Sequence, residues 1–310
     1  MIMRRLIPWY FSLLVLAAVI WQFGCQKQVR QPTRPPGFDQ ERAYSLLQEI
    51  CSIGPRNHGS ETKLKAEKWI QEKLREAGAE VSVHEFTYAS RDSGVAESFR
   101  NITGHIRPAE KRRVMVGTHY DTRSWADRDP HKELRSIPIV GANDGASGVA
   151  VMLEMARAWK YDPPPVGIDL IFFDGEEFGK EGRLEDYLAG SKAFVRDHPE
   201  FKPEWGVVLD MVGDSNLRIG KERSSAARAC KAVRKIWGAA ERVGSTAFVD
   251  GFQRHIYDDQ SAFIARGIPV ALVIDYEYPW YHTTEDLPDK CSAESLGQVG
   301  RTIMEAIYSS

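Results

Sequence analysis

Apolar residues recur every three or four positions in the first part of the chain beyond residue 37. The stretch "FDQERAYSLLQEICSIGPR" has this spacing and ends at a Gly-Pro pair, which stops a helix. The stretch "SETKLKAEKWIQEKLREAGAE" repeats the spacing, with Ser60 placed to cap the start of a helix and Gly78 placed to end it. Two helices are therefore expected to open the folded part of the chain.

Short apolar runs with the composition of strands follow the two helical stretches. They are "VSVHEF", "RVMVGTH", "GIDLIFFD", "WGVVLDMVG" and "IPVALVID". Segments with helical spacing, such as "GASGVAVMLEMARAWK", lie between them. Because strands that alternate with helices form sheets covered on both faces, the pattern predicts an α/β fold with a mixed, mostly parallel central sheet flanked by helices. We expect a single domain over residues 38–310.

Polar residues able to bind a metal follow the predicted strands, at or just beyond their ends. They are His119, Asp144, Glu176, Glu177, Asp210 and His282. Because the carboxyl ends of parallel strands open into one crevice, these side chains are expected to converge there. Carboxylates and imidazoles without cysteine ligands suit Zn²⁺, with one glutamate of the adjacent pair as ligand and the other as proton carrier. Taken alone, Asp144 could instead cap the helix that follows it.

The N-terminus has the character of an export signal, because "MIMRR" precedes the apolar stretch "LIPWYFSLLVLAAVIWQF". Cys25, preceded by a small residue in "QFGC", resembles the lipidation site of a bacterial lipoprotein. An uncleaved anchor is the alternative, since about 18 apolar residues can span a bilayer. We expect residues 1–25 to be a signal peptide or membrane anchor, and residues 26–37 to be a linker. The domain would then be exported and tethered to the membrane on its periplasmic or extracellular side.

The charge balance and the cysteines of the chain limit its possible partners, metal sites and disulfides. The chain has 41 lysines and arginines against 43 aspartates and glutamates and shows no basic stripe, which argues against nucleic acid as a partner. Its cysteines lack the C-x-x-C spacing of a cysteine metal site. In an oxidising compartment we expect one disulfide, between Cys51 and Cys291, and one remaining thiol at Cys230.

Seven segments of the chain resemble the motifs of one enzyme family. They are "GTHYDT", "VGANDGASGVAVMLE", "LIFFDGEEFG", "YLAGSKAF", "VVLDMVGD", "IYDDQSAF" and "YHTTEDLPD". In this order, and over residues 38–310, the chain resembles the zinc aminopeptidase and glutaminyl cyclase superfamily of peptidase family M28. The resemblance implies a mixed sheet with flanking helices, which is also the fold that the apolar pattern predicts.

The resemblance further implies roles for the residues at matching motif positions. Asp144 of "GAND", Glu177 of "GEE" and His282 of "YHT" match the ligands of the zinc that both branches of the superfamily share. Glu176 matches the glutamate that transfers protons.

The two branches of the superfamily differ in the number of zinc ions they bind. In an aminopeptidase, His119 and Asp210 would complete a second zinc site. In a cyclase one zinc is bound, and Asp210 and Asp258 would instead belong to the network around the catalytic glutamate.

Three loops favour the cyclase branch: "EEFGKEGRLEDYLAGSKAF", "IYDDQSAFIARGIPV" and "TRSWADRDPHKELRSIP". We therefore expect an enzyme that converts the N-terminal glutamine of peptides or proteins to pyroglutamate and releases ammonia. A two-zinc aminopeptidase is the alternative. A catalytically silent, tethered binding protein on the same fold is the third hypothesis.

Three positions depart from the cyclase pattern. Gln260 stands where cyclases usually have a histidine, Tyr281 where they have a tryptophan, and Gly182 where animal members have a tryptophan. Tyr281 can still form an aromatic wall of the substrate pocket. We expect Trp125 and Trp280 to supply the missing rings there.

Overall fold

The computed structural model describes residues 37–90, 94–180 and 182–310. Its α-helices are α1 (Gln40–Ile53), α2 (Glu61–Glu76), α3 (Ala146–Tyr161), α4 (Ala189–Asp197), α5 (Arg223–Arg228), α6 (Cys230–Val243), α7 (Gln260–Ala265) and α8 (Ala293–Tyr308). Its strands are β1 (Glu80–Ala89), β2 (Ala96–Ile106), β3 (Arg113–His119), β4 (Gly167–Phe173), β5 (Trp205–Asp210), β6 (Ile219–Lys221), β7 (Phe248–Phe252) and β8 (Val270–Ile274). Short 3₁₀ helices lie at Lys132–Leu134, Leu184–Asp186 and Pro288–Lys290.

Within the described residues, six strands form the central sheet in the order β1-β2-β4-β3-β5-β8. The β1/β2 and β2/β4 pairs are antiparallel, whereas β4, β3, β5 and β8 run parallel. In the parallel part, His119 pairs with Phe173 and Asp210 pairs with Ile274, so these strands end at one edge. The predicted mixed, mostly parallel sheet is confirmed.

Helices cover both faces of this sheet. On one face, α1, α3, α6 and α8 pack around a large apolar cluster that includes Trp159. On the other face, Phe194 of α4 and Phe263 of α7 belong to a second cluster. Leu170 and Ile171 are adjacent in β4 but belong to different clusters, because successive side chains of a strand point to opposite faces. The predicted helices on both faces are therefore confirmed.

The first two helices begin and end where the sequence predicts. Asp39 accepts a hydrogen bond from the backbone of Arg42 at 3.0 Å and caps α1. Ser60 accepts one from the backbone of Lys63 at 3.1 Å and caps α2. Gly78 follows the end of α2 with a φ of +84°, a left-handed conformation that glycine adopts at little cost.

Strand β2 is absent from the sequence prediction, because buried polar residues interrupt its apolar run. The side-chain amide of Asn101 donates to the Gly190 carbonyl at 2.9 Å, and its oxygen accepts from the Asp174 backbone at 3.0 Å. Gly190 and Asp174, the two hydrogen-bond partners of Asn101, are both distant from it in sequence. A polar residue satisfied in this way is indistinguishable from a loop residue until the tertiary structure is known.

The cysteine prediction is wrong, because Cys51, Cys230 and Cys291 are all free thiols. Burial raises the pKa of Cys51 to about 12 and raises that of Cys291 well above its ordinary value. Both thiols therefore stay protonated and pack as small apolar side chains.

The described residues belong to one compact unit, which spans residues 35–310. Residues 1–36 lie outside the described residues, so the signal or anchor and most of the linker stay predictions. No helix among the described residues combines the length and apolar character needed to cross a bilayer.

A buried ion-pair network joins α2 to the end of β4. The ammonium of Lys63 lies 2.8 Å from a Glu67 oxygen and 2.7 Å from an Asp174 oxygen, and all three side chains are buried. Asp174 also accepts from the Arg100 backbone at 2.8 Å. The first carboxylate of "DGEE" is therefore a structural anchor that lies outside the metal groups.

Replacing Lys63 with Met is expected to destabilise the fold by about 3–5 kcal/mol, because it leaves the carboxylate of Asp174 buried without a cation, whereas Glu67 keeps Arg100 at 3.3 Å. Urea unfolding followed by circular dichroism would measure the change. Lys65→Met is the matched control, since Lys65 is exposed on the same helix and should cost less than about 0.5 kcal/mol. Equal stability of the two variants would contradict the prediction.

Candidate metal centre and substrate cleft

The parallel strands deliver the candidate ligands to one edge of the sheet. His119 is the last residue of β3, Asp210 is the last residue of β5, and Glu176 and Glu177 follow the end of β4 by a few residues. Asp144 precedes α3. The structure brings these side chains together with His282, as expected for groups at the carboxyl ends of parallel strands.

A first candidate metal group consists of Asp144, Glu177 and His282, all buried. His282 Nε2 lies 3.0 Å from Glu177 Oε1 and 3.7 Å from Asp144 Oδ2. One ligand atom from each of the three lies within 4.8 Å of the others. Two carboxylates and one imidazole form an oxygen and nitrogen donor set that suits zinc.

A second candidate group shares Asp144 with the first. His119 Nε2 lies 3.1 Å from Asp144 Oδ1 and 3.2 Å from Asp210 Oδ1, and all three side chains are buried. The two oxygens of Asp144 therefore face two different groups. This is the arrangement that a carboxylate bridging two metal ions would require.

The surroundings of Asp144 fit a cation. Its Oδ2 atom is buried and accepts no hydrogen bond within the described part of the chain. Burial and the charge of Glu177 raise the pKa of Asp144 to about 7. A buried carboxylate in this position is stabilised by a positive ion placed between it and its neighbours.

The backbone on both sides of Asp144 is held in place by other residues. The Asp144 N–H and the Asn143 N–H donate to the two oxygens of Asp286 at 3.1 and 2.8 Å. Gly145, with a φ of +95°, is the residue that precedes α3, and no side chain caps that helix. The helix-cap interpretation of Asp144 is therefore wrong, because its carboxylate faces His119 and His282.

Arg56, which the sequence did not single out, joins the end of β3 to the loop before Asp144. Its fully buried guanidinium donates to the carbonyls of Tyr120, Val140 and Gly141 at 2.8, 2.8 and 2.9 Å. Three carbonyls from two segments thereby share one cation. These hydrogen bonds hold in place the loop that leads to Asp144.

Three further residues orient the ligands. The carboxylate of Asp121 accepts from the Glu176 and Glu177 backbones at 3.3 and 3.1 Å and thereby holds the turn after β4. Arg123 donates to the second oxygen of Glu177 at 3.0 Å. Asp127 accepts from His282 Nδ1 at 3.0 Å, which directs Nε2 toward the metal group. Asp121 was expected beside His119 at the end of β3, whereas the only sequence signal for Arg123 and Asp127 was their proximity to His119 along the chain.

Replacing Asp127 with Asn is expected to weaken zinc binding by about 10- to 100-fold, because the imidazole of His282 loses its anionic partner. Although burial opposes the effect, hydrogen bonds from His282 and Arg123 lower the pKa of Asp127 to about 2, so the carboxylate is charged at neutral pH. Competition with a fluorescent chelator would measure the affinity. Asp197→Asn is the matched control, since Asp197 contacts a histidine outside the metal groups, at His84. Unchanged zinc affinity in Asp127→Asn would contradict the prediction.

Glu176 lies beside further acidic groups as well as Glu177. Burial and the charge of Glu177 raise the pKa of Glu176 well above the ordinary value, and the charges of Asp258 and Asp259 add to the increase. Burial and Asp210 likewise raise the pKa of Asp258, whose Oδ2 accepts no hydrogen bond from any described residue. These buried carboxyls hold protons more readily than isolated ones and can exchange them.

The local structure explains Gln260 and Gly182, two of the residues that depart from the cyclase pattern. The side-chain amide of Gln260 is buried and donates to the Ile256 carbonyl at 3.1 Å, so it stabilises the segment that carries Asp258. Gly182 lines the cleft with a φ of +81°. A residue with a side chain would be strained in that conformation.

A cleft of about 240 Å³ opens onto Glu176 and Glu177. Its aromatic lining comes from tyrosines, namely Tyr187, Tyr257, Tyr276 and Tyr281. Tyr281 is thus a wall of the cleft, as expected from the sequence.

Neither predicted tryptophan lines this cleft. Trp125 is contacted by Arg123 and Lys180, whose charged groups lie 5.8 and 5.9 Å from its ring centre. Trp280 is 39% exposed and faces Lys290 at 5.1 Å. The prediction that Trp125 and Trp280 line the pocket is wrong for this cleft, because cation–π contacts hold the Trp125 ring beside Arg123 and Lys180 and the Trp280 ring beside Lys290.

Comparison with known proteins places the chain in a family. Residues 101–307 match the family model "Peptidase family M28". The chain superposes on the Bacteroides thetaiotaomicron glutaminyl cyclase with a TM-score of 0.85 and 33% identity, over 89% of this chain and 99% of that one. It superposes equally well on a Zn-dependent exopeptidase from Parabacteroides distasonis. That match has a TM-score of 0.85 and 30% identity, over 89% of this chain and 100% of that one. A mouse glutaminyl-peptide cyclotransferase-like protein is 29% identical over 80% of this chain and 70% of its own length. On this sequence match and shared fold, the chain belongs to peptidase family M28.

Proposed function

We propose that the protein is a zinc-dependent glutaminyl-peptide cyclotransferase, which converts N-terminal glutamine to pyroglutamate and releases ammonia. Similarity to glutaminyl cyclases over almost their whole length supports this proposal. The observation that carries it is the cluster of carboxyls in which the half-buried Glu176 lies beside the buried Asp258 and Asp210. Such a cluster can accept a proton from one substrate nitrogen and return it to another.

The reaction needs one proton transfer between two nitrogens of the same residue. The substrate's α-amine nitrogen forms a bond to the γ-amide carbon, and the bond from that carbon to the amide nitrogen breaks. Glu176 takes the proton released by the attacking amine and gives it to the departing nitrogen, which leaves as ammonia. No water molecule is consumed. The cleft contributes by holding the glutamine side chain in the folded conformer that brings amine and amide together.

Zinc, held by Asp144, Glu177 and His282, would supply a Lewis acid for the γ-carbonyl oxygen. Burial and the charge of Glu177, with a smaller contribution from Asp258, raise the pKa of Glu176, and burial and Asp210 raise that of Asp258. The raised pKa makes Glu176 a stronger base toward the amine, and exchange of protons within the cluster lets the same group act as an acid.

A two-zinc aminopeptidase is the second candidate, and the second metal group supports it. His119 and Asp210 share Asp144 with the first group, so five side chains could hold two ions. Metal analysis of the purified protein separates the candidates, since the cyclase predicts one zinc per chain and the aminopeptidase predicts two.

The direct test is to incubate the zinc-loaded protein separately with a Gln-initiated and a Leu-initiated dipeptide and to follow both by mass spectrometry. Loss of one ammonia from the first, with the second intact, is the expected result. Cleavage of the Leu peptide would establish an aminopeptidase instead. No reaction with either, together with no bound zinc, would favour the catalytically silent binding protein.

We also propose that the N-terminal segment exports the protein and anchors it through a lipid on Cys25. The order of charged and apolar residues in the first 25 positions supports this. In a bacterial host, Cys25→Ala should prevent incorporation of radiolabelled palmitate and block signal cleavage. Incorporation that persists in the variant would contradict lipidation at Cys25.

A further inference from the structure

Arg128 occupies a distinctive place at the mouth of the cleft. It lines both the cleft of about 240 Å³ and an adjoining depression of about 340 Å³. Its guanidinium lies 4.6 Å from the centre of the Tyr281 ring. Its backbone N–H donates to the His282 carbonyl at 3.2 Å. A cation is therefore attached directly to the segment that carries a candidate zinc ligand.

The charge of Arg128 is not neutralised by a neighbouring carboxylate of the described chain. Asp127, the preceding residue, is engaged by His282 and Arg123. Asp129, the following residue, accepts from the hydroxyl and backbone of Thr284. Arg128 is exposed and lines the cleft, so its side chain is accessible to a bound peptide.

The adjoining depression contains a second arginine in a different situation. Arg254 stacks on Tyr276 at 5.0 Å and lies 3.6 Å from a carboxylate oxygen of Glu277. Its charge is thus partly compensated within the protein. Of the two arginines, Arg128 is the one with a free charge beside the cleft.

The cleft therefore presents charges of opposite sign to a bound peptide. Its lining includes the buried Glu177 and the half-buried Glu176, whose carboxylates attract the substrate's N-terminal amine, and the exposed Arg128. A peptide chain advances by about 3.3–3.6 Å per residue. The guanidinium of Arg128 lies 4.6 Å from the Tyr281 ring centre, which lies 3.7 Å from that of His282, so a side chain on the residue after the N-terminal one can span this distance.

We propose that Arg128 forms a carboxylate-binding subsite, which makes the protein prefer peptides with a carboxylate on the residue after the N-terminal glutamine. This inference rests on the proposed cyclase function. The carboxylate can come from an aspartate or glutamate side chain or from the C-terminus of a dipeptide. Arginine is suited to both, because its planar guanidinium donates two parallel hydrogen bonds to a carboxylate.

Two peptide pairs test the subsite and separate its two carboxylate sources. Gln-Glu-Ala-amide and Gln-Gln-Ala-amide differ in one side-chain charge, and Gln-Ala and Gln-Ala-amide differ in the C-terminal charge. We expect kcat/KM to be about fivefold higher for the charged member of each pair, as for a charge-assisted contact partly exposed to water. The difference should lie in KM, because the contact is equally strong in the ground state and the transition state. It should shrink at high salt.

Variants assign the preference to one residue. Arg128→Gln should bring the ratio of kcat/KM between the charged and neutral members of each pair close to one, and Arg128→Lys should retain part of the preference. Arg254→Gln is the matched control and should retain most of the preference, since Arg254 already has a partner in Glu277. A general structural defect would instead lower kcat/KM for all four peptides alike.

The other possible results of these peptide and variant assays would each refute or restrict one part of the proposal. Turnover of every Gln peptide with no preference for the charged members would refute the subsite and leave the cyclase function standing. Preference within only one pair would restrict the subsite to that carboxylate source. Loss of the preference in Arg254→Gln but not in Arg128→Gln would refute the assignment to Arg128. No turnover of any Gln peptide would refute the proposed function and the subsite with it.

Discussion

Glu176→Gln is expected to lower kcat for a Gln-initiated peptide by about 10²- to 10⁴-fold, the usual contribution of a general acid–base group. The amide is nearly isosteric with the carboxylate but cannot accept the proton of the attacking amine. Burial and Glu177 raise the pKa of the native carboxyl, which makes it a stronger base toward the attacking amine. Ammonia release measured with a coupled assay would give kcat.

The variant should keep its fold and its zinc, because Glu176 belongs to neither candidate metal group. Zinc content and thermal unfolding of Glu176→Gln should therefore match those of the wild type. Glu133→Gln, whose side chain is 75% exposed, is the control for a simple loss of charge. A kcat within about threefold of the wild type would remove Glu176 from the mechanism, since a general acid–base group contributes far more. Loss of zinc would make it a ligand.

Asp144→Asn is expected to remove bound zinc and, with it, all measurable turnover. Asp144 contributes to both candidate metal groups, so its charge is required whether one ion or two are held. The loss of affinity should exceed the roughly 10- to 100-fold typical of a residue that only supports a ligand. Metal analysis after dialysis would measure it, with Asp250→Asn as the exposed control. Retention of one zinc per chain would contradict the assignment of Asp144 to the first group.

The same substitution should stabilise the metal-free protein at alkaline pH. Burial and Glu177 raise the pKa of Asp144 to about 7, above its unfolded value, when no cation is present. Folding therefore favours the protonated carboxyl, and this contribution is present at low pH and is lost as pH rises through about 7. Since the asparagine side chain carries no charge, metal-free Asp144→Asn should have a higher Tm than the metal-free wild type at about pH 8, and the difference should shrink at about pH 5.

The sheet and the first helices were predictable because they depend on local patterns. Ser60 and Gly78 mark the ends of α2 through hydrogen bonding and backbone freedom that involve only neighbouring residues. Strand β2 was not predictable, because Asn101 is buried by virtue of contacts with Gly190 and Asp174. A pattern within one segment contains no information about such partners.

The candidate ligands were predictable for a related reason. They lie at or near the ends of apolar runs, and the carboxyl ends of parallel strands share one edge of the sheet. Their separation into two groups was not predictable from spacing. It depends on the orientation of Asp144, one oxygen toward His119 and the other toward His282.

The sequence by itself determined the α/β class, the first two helices, the family and the residue types available for chemistry, because periodicity, caps and motif order are properties of consecutive residues. Only the tertiary structure decided which charges pair. It placed Asp174 against Lys63, left Arg128 with a free charge at the cleft, and held Trp125 and Trp280 away from it. These outcomes depend on burial and on contacts between segments distant in sequence, and the free energy of a buried charge or ring is set by those contacts.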